Sequence, residues 1–171
     1  MNAHHRLPGR VLARWGAALP WNPSTALWIA AMLAGLAWLG RSAQVAFLIP
    51  PFAATLTIIA YLPEVAIAQP VAVVCGSVAG AAIGTGLSLL LGFGPDVAVL
   101  AALGAMIALP LMRIFHPPGV ALAMYPALLH AGALFPLEVV LPFALAAVLS
   151  ASLLSRLLRR FPRYPRALNA G

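Results

Sequence analysis

Acidic residues are nearly missing from this sequence, lysine is missing altogether, and cysteine occurs once. Glu64, Asp96 and Glu138 are the only acidic side chains, against ten basic ones that are all arginine. Charged residues make up 8% of the 171 positions, where a soluble domain carries about 25%. Too little polar side chain is present to cover a water-facing globule of this length. A soluble protein is excluded, and lipid must be the solvent of much of the surface.

The single cysteine, Cys75, rules out an intrachain disulfide and any cysteine-based metal site. Lying in an apolar segment, it reads as a small packing residue. The sequence has no nucleophile elbow, no paired carboxylates in an apolar run, no zinc motif and no phosphate-cradling loop. The expectation is therefore not an enzyme. His116 and His130 are separated by prolines, and the acidic residues fall in different connections. Neither a metal nor another cofactor is expected.

The net charge of +7 raises the question of a nucleic acid, and its distribution answers it. Arg6, Arg10 and Arg14 lie near the start, and Arg156, Arg159, Arg160, Arg163 and Arg166 lie in the tail. The arginines flank an apolar chain and do not read as a base-stacking surface, so no nucleic-acid partner is expected. Arginine flanks on an apolar chain follow the positive-inside rule. They place both termini in the cytoplasm, beside anionic headgroups of what reads as a bacterial inner membrane.

Apolar sequence is abundant, at 63% of the chain. Crossing a bilayer takes about 20 such residues, and six segments qualify: roughly 24–40, 44–62, 70–91, 97–115, 118–134 and 137–158. Basic residues precede the first, as in a signal peptide. It lacks a small-x-small cleavage site and reads as a retained helix. The domain reading is a basic N-terminal segment (1–23), one transmembrane helical domain (24–158) and an Arg/Pro-rich cytoplasmic tail (159–171).

Two segments carry proline pairs, Pro50-Pro51 and Pro117-Pro118, lying 67 residues apart. Proline breaks a helix interior but suits the first turn of a new one. Each pair therefore predicts a short helix, and the expected fold is all-α and polytopic. Four long transmembrane helices and two short Pro-Pro-initiated ones fall into two pseudo-repeats. Full crossing by the short helices makes the halves inverted repeats, and re-entrant short helices make them parallel. Paired, proline-interrupted segments at corresponding positions point to a transporter's binding site.

Gly76, Gly80, Gly84 and Ser88 recur every fourth residue and form a smooth stripe on one helix face. Such a stripe lets two helix backbones approach closely, either within the bundle or as the seam of a homo-oligomer. The candidate binding residues lie elsewhere. Arg113, His116, Pro117, Pro118 and Gly119 combine a helix N-terminus, a guanidinium and an imidazole. That combination suits a small anion. Gln69, before Pro70, and the prolines Pro50 and Pro51 complete the set. Thr55, Thr57, Ser77 and Thr85 are expected to bond back to their own helices.

Phe115-His116-Pro117-Pro118-Gly119 resembles the signature motif of the HPP family of integral membrane proteins, and Ile67-Ala68-Gln69-Pro70 resembles its second motif. The likeness covers about residues 27–158. It implies a small polytopic membrane protein, usually described with four transmembrane helices. Plastid and cyanobacterial members are associated with nitrite transport. The polar residues that follow both motifs in the family are replaced here by Val120-Ala121-Leu122 and by Val71-Ala72. The resulting expectation is a permease for a small polar or anionic solute, with an inorganic anion such as nitrite favoured. The alternative is a non-transporting scaffold or accessory subunit assembled through the glycine stripe.

Overall fold

The structure, a computed structural model, describes residues 22–43 and 50–166. Among the described residues six apolar rods make up the bundle, and each opens on a proline. They are α1 (Pro23–Ala43), α2 (Pro50–Tyr61), α3 (Pro70–Leu91), α4 (Pro95–Leu111), α5 (Pro117–Leu129) and α6 (Leu141–Leu157), the last entered through a π-helical turn over Pro136–Val140. Proline is pre-set for the first helical position and has no N–H to leave unpaired there. The π turn has a related cause. Pro142 offers no N–H to the carbonyl four residues back, and the wider turn absorbs the misfit.

Among the described residues three rods are long and apolar enough to cross a membrane: Pro23–Arg41, Pro70–Leu91 and Pro136–Leu157. The fourth long helix of the expectation, α4, is not among these three. That helix has 17 residues, about 26 Å of rise against about 30 Å of hydrocarbon. Its last turn holds Pro110, and the chain then reverses through Arg113 at φ 57°. Ile114 N–H returns to Leu109 O (3.0 Å) and Arg113 N–H to Pro110 O (2.9 Å). This pair of bonds is the Schellman stop that closes a helix.

Hydrogen bonds between distant residues fix the directions. Trp28 Nε1–H donates to Ser150 Oγ at 2.9 Å, and the Asn22 amide donates to Arg160 O, so α1 and α6 run antiparallel. Tyr61, the last residue of α2, comes back beside Asn22. Gly94 N–H reaches Ala127 O at 3.1 Å, so α4 starts where α5 finishes. One end of the bundle, the near end, gathers Asn22, residues 61–69, the turn 112–116 and the C-terminal tail. The far end gathers residues 92–94 and 130–135. Both short helices carry the chain from one end toward the other.

The tightest packing is between α3 and α5, which run in the same direction. Gly76 lies against Ile114 O and the His116 Cβ, Gly80 against Gly119 O, and Gly84 against Ala123 O. A β-carbon at any of the three would sit far inside van der Waals contact with those backbone atoms. The glycine stripe is thus covered by α5 of its own chain, and that face is closed to a second copy. Ser88, next on the stripe, is buried and bonds to Gly84 O at 2.8 Å.

A second cluster joins α1, α2 and α6. Phe52 and Phe143 stack at 3.8 Å, and Trp28 meets Phe161 edge-on at 5.6 Å. Leucines and valines face outward around the rods, with Leu90 80% and Leu111 79% exposed. Such a surface suits lipid and not water. Cys75 is exposed on this outer face, which corrects the reading of it as a packing residue. It flanks Gly76 on α3, one position off the stripe.

The tail is not a loose appendage over its described part. Residues 158–166 fold back over the near end. Phe161 and Tyr164 are buried, Tyr164 O–H donates to Ala68 O at 2.8 Å, and Ser155 Oγ–H donates to Tyr164 O at 2.8 Å. Arg166 approaches Glu64 at 3.7 Å, an exposed pair of small energetic weight. Tyr164→Phe is expected to cost about 1–2 kcal/mol by stranding a buried carbonyl. Faster proteolysis of the tail in detergent would register it. Burial also pushes the Tyr164 phenol above its ordinary 10.0. Folding favours the neutral form, so this contribution is whole below that pH and declines as pH rises past it. Tyr164→Phe should remove that alkaline loss.

Candidate functional site

The turn after α4 places His116 at the start of α5, level with Gly76 and so about 9 Å along α3 from Pro70. Its backbone is extended (φ −135°, ψ 109°), as a residue before proline prefers. The ring is fully buried. Nδ1 lies 2.8 Å from Ile67 O, and Nε2 lies 3.0 Å from Thr55 Oγ1. Among the described residues no other titratable side chain but Tyr164 is buried.

Three elements meet at this imidazole: α2 through Thr55, the 62–69 loop through Ile67, and α5 itself. A carbonyl only accepts, so Nδ1 carries a proton. The Thr55 hydroxyl also stands 3.0 Å from Pro51 O, and its one hydrogen can serve either neighbour. Donated to Nε2, it leaves a neutral imidazole fully bonded. Donated to Pro51 O, it leaves Thr55 Oγ1 free to accept from a protonated Nε2. Both protonation states thus find partners without movement of a heavy atom. Above the ring, the 62–69 loop is held by Gln69, whose amide donates to Pro63 O (3.0 Å) and Val65 O (3.2 Å), and by Tyr164.

Not all the expected residues converge here. Arg113 is exposed in the turn and closes α4 with its backbone. Gln69 spends its amide on the loop. Pro117 and Pro50 face outward, whereas Pro118, Pro51 and Gly119 are buried, Gly119 against Gly76 O. The expectation of free N–H groups at the start of α5 is also corrected. The helix starts at Pro117, so two of its first positions have no N–H, and Gly119 N–H is already bonded to His116 O at 2.8 Å. Proline makes a clean helix start and removes the donors that an anion would use.

A family model described as HPP, transmembrane region, matches residues 18–165. The chain belongs to the HPP family. No curated protein and no solved structure matches it. In this HPP-family chain, the histidine of His116-Pro117-Pro118 is the buried pin and the prolines shape the helix that carries it. The Ala68-Gln69-Pro70 segment supplies the loop that covers it. The two motifs that stand apart in sequence therefore build one structural unit.

Thr55 is the residue that sequence reasoning missed. It was assigned to its own helix, and the bond to Pro51 O exists, but the contact with His116 spans 61 positions. Its place five residues into a Pro-Pro helix was the available signal. Thr57 bonds back to Ala54 O as expected, whereas the Thr85 hydroxyl is buried without a partner.

A non-glycine residue at the left-handed position of the α4 stop is held at a cost. Arg113→Gly should stabilise the protein by about 1 kcal/mol, while Arg113→Ala keeps the unfavourable backbone and gains nothing. Thermal melting of the two variants in the same detergent checks the difference.

Proposed function

We propose that this protein is a permease-like transporter of a small solute, with a small inorganic anion such as nitrite favoured. The observation that carries the reading is His116, a fully buried imidazole bonded to Thr55 where the two Pro-Pro helices meet. Polar and ionisable groups at membrane depth are costly and mark solute paths by default. The helix starts support it too. Pro50 and Pro117 begin α2 and α5, Pro70 and Pro136 begin the segments that follow, and the members of each pair are 66–67 positions apart. With three rods per half running in alternation, the halves are read as inverted repeats, an arrangement common among secondary transporters.

Charge favours an anion over a cation. Glu64, Asp96 and Glu138 are all exposed, so no carboxylate lies inside the bundle among the described residues to coordinate a cation. Arg113, Arg156, Arg159, Arg160, Arg163 and Arg166 crowd the near end, against Arg41 toward the far end. The positive-inside rule then makes the near end cytoplasmic, in a bacterial inner membrane. On this reading the 62–69 loop and the folded tail form the inner gate above His116. The scaffold alternative loses its main support, because α5 covers the glycine stripe.

Nitrite uptake into proteoliposomes tests the proposal, with nitrate, formate and chloride as companion solutes. Flux above protein-free vesicles is expected for at least one of them. No flux for any small anion overturns the anion reading.

A further inference from the structure

The two short helices are held in the bundle in different ways. α5 lies on α3 backbone to backbone, since a β-carbon at Gly80 or Gly84 would overlap Gly119 O or Ala123 O. Such a seat has no side chains to re-sort, so α3 and α5 hold together as one body. α2 has no equivalent seat. At the offset of 67 positions that relates the proline pairs, Phe52 stands on α2 where α5 has Gly119, and Phe143 stands on α6 where α3 has Gly76. Those two rings stack at 3.8 Å, so α2 meets α6 through side chains and not through backbone.

Open space also flanks α2 on two sides. A groove of about 570 Å³ separates it from α5, with Pro51 and Ala54 on one wall and Pro118 and Leu129 on the other. A cleft of about 460 Å³ lies between the end of α2, the start of α1 and the folded tail. Packed interiors leave few voids larger than a water, so this much space beside one helix gives it room to move. Among the described residues a single hydrogen bond joins α2 to α5, between Thr55 and His116 Nε2. The Tyr61 end of α2 is better fastened, because Gln69 and Tyr164 hold the loop that follows it.

We infer that α2 is the moving element of this fold, rocking about its Tyr61 end so that its Pro50 end swings away from α5, while α3 and α5 stay together. Phe52 slides over Phe143 in this motion, and the Thr55–His116 bond is the latch that it opens. One hydrogen bond and one ring stack are weak enough to leave a minor open state populated. The opened latch turns His116 Nε2 toward the groove. The inference rests on the transport reading for its purpose, since it names the part that would expose His116 to a solute, but the motion is measurable with no solute present.

Spin-label pairs in a Cys75→Ala background, reconstituted in lipid, read the motion as distances. Ala54→Cys with Leu129→Cys spans the groove, and Gly86→Cys with Leu129→Cys spans the α3–α5 pair. Nothing lies within 4 Å of a β-carbon at Gly86, so a label fits there. Thr55→Val removes the latch at nearly constant volume. It should raise the ratio of long to short distances in the groove pair by about tenfold, the worth of one buried hydrogen bond, and leave the α3–α5 pair unmoved. Thr55→Ser keeps the hydroxyl and should restore the original ratio. Thr57→Val is the control, because that exposed hydroxyl only bonds back to Ala54 O. A single short groove distance in both the original and Thr55→Val, or an equal shift in the two pairs, overturns the inference whatever the flux assays give. A groove pair that responds to Thr55→Val in a protein without anion flux keeps the moving helix and removes only its transport role.

Discussion

Gly80→Leu is expected to abolish the folded bundle, not merely loosen an assembly. The α3 backbone at Gly80 rests on Gly119 O of α5, and a β-carbon alone would overlap that carbonyl. The obstacle is backbone on both sides, so no side-chain rotation relieves it. Even Gly80→Ala should cost about 3 kcal/mol or more, at the upper end of overpacking effects. Leucine should leave aggregated protein in size-exclusion chromatography. Gly86→Leu is the control on the same helix, because nothing lies within 4 Å of a β-carbon there. It should fold as the original does. A seam between copies would show a different result: Gly80→Leu would remain folded and elute as a smaller particle. That outcome would refute the intramolecular packing described for α3 and α5.

The stripe was legible in the sequence, but its partner was not. Spacing of four puts Gly76, Gly80 and Gly84 on one face whatever covers it. What covers it depends on α5 entering at Gly119 with Ala123 one turn later, and backbone carbonyls leave no mark in a sequence. Proline positions carried more. The starts of α1 to α5, and of the π turn that leads into α6, fall on prolines, because that residue is pre-set for a first helical turn and leaves no N–H unpaired there. The length of α4 could not be read in the same way. Its apolar run continues through Ile114-Phe115, and only the turn at Arg113 ends the helix. Hydropathy records where lipid is tolerated and not where hydrogen bonding stops.

The candidate site was half legible for a related reason. His116 and Gln69 stood out as polar residues in apolar surroundings. Which polar groups they meet is a long-range matter, settled by Ile67 O and Thr55 for one and by loop carbonyls for the other. Arg113 drew attention by its charge, yet its backbone angle explains its position in the fold more directly.

His116 carries the second large effect, and two substitutions separate its structural role from its functional one. His116→Ala strands Ile67 O and opens a cavity among α2, α3 and α5. The expected loss is about 3–5 kcal/mol, enough to lower yield in any detergent. Loss of flux in that variant would prove little. His116→Asn is the informative change, since its amide N–H can occupy the place of Nδ1 and keep the bond to Ile67 O. Thr55 then still has Pro51 O within 3.0 Å, so no hydroxyl is stranded, and the cost should fall to about 1–2 kcal/mol. What asparagine cannot supply is a ring nitrogen at the Nε2 position that accepts in one state and donates in the other. If His116 serves solute passage, His116→Asn should fold, reconstitute and lose at least about tenfold of its anion flux per folded protein, or 1.4 kcal/mol in the rate-limiting barrier. Flux that survives in proportion to folded His116→Asn protein would make the histidine a pin in the architecture and nothing more. The solute path would then have to be sought away from the junction of α2 and α5.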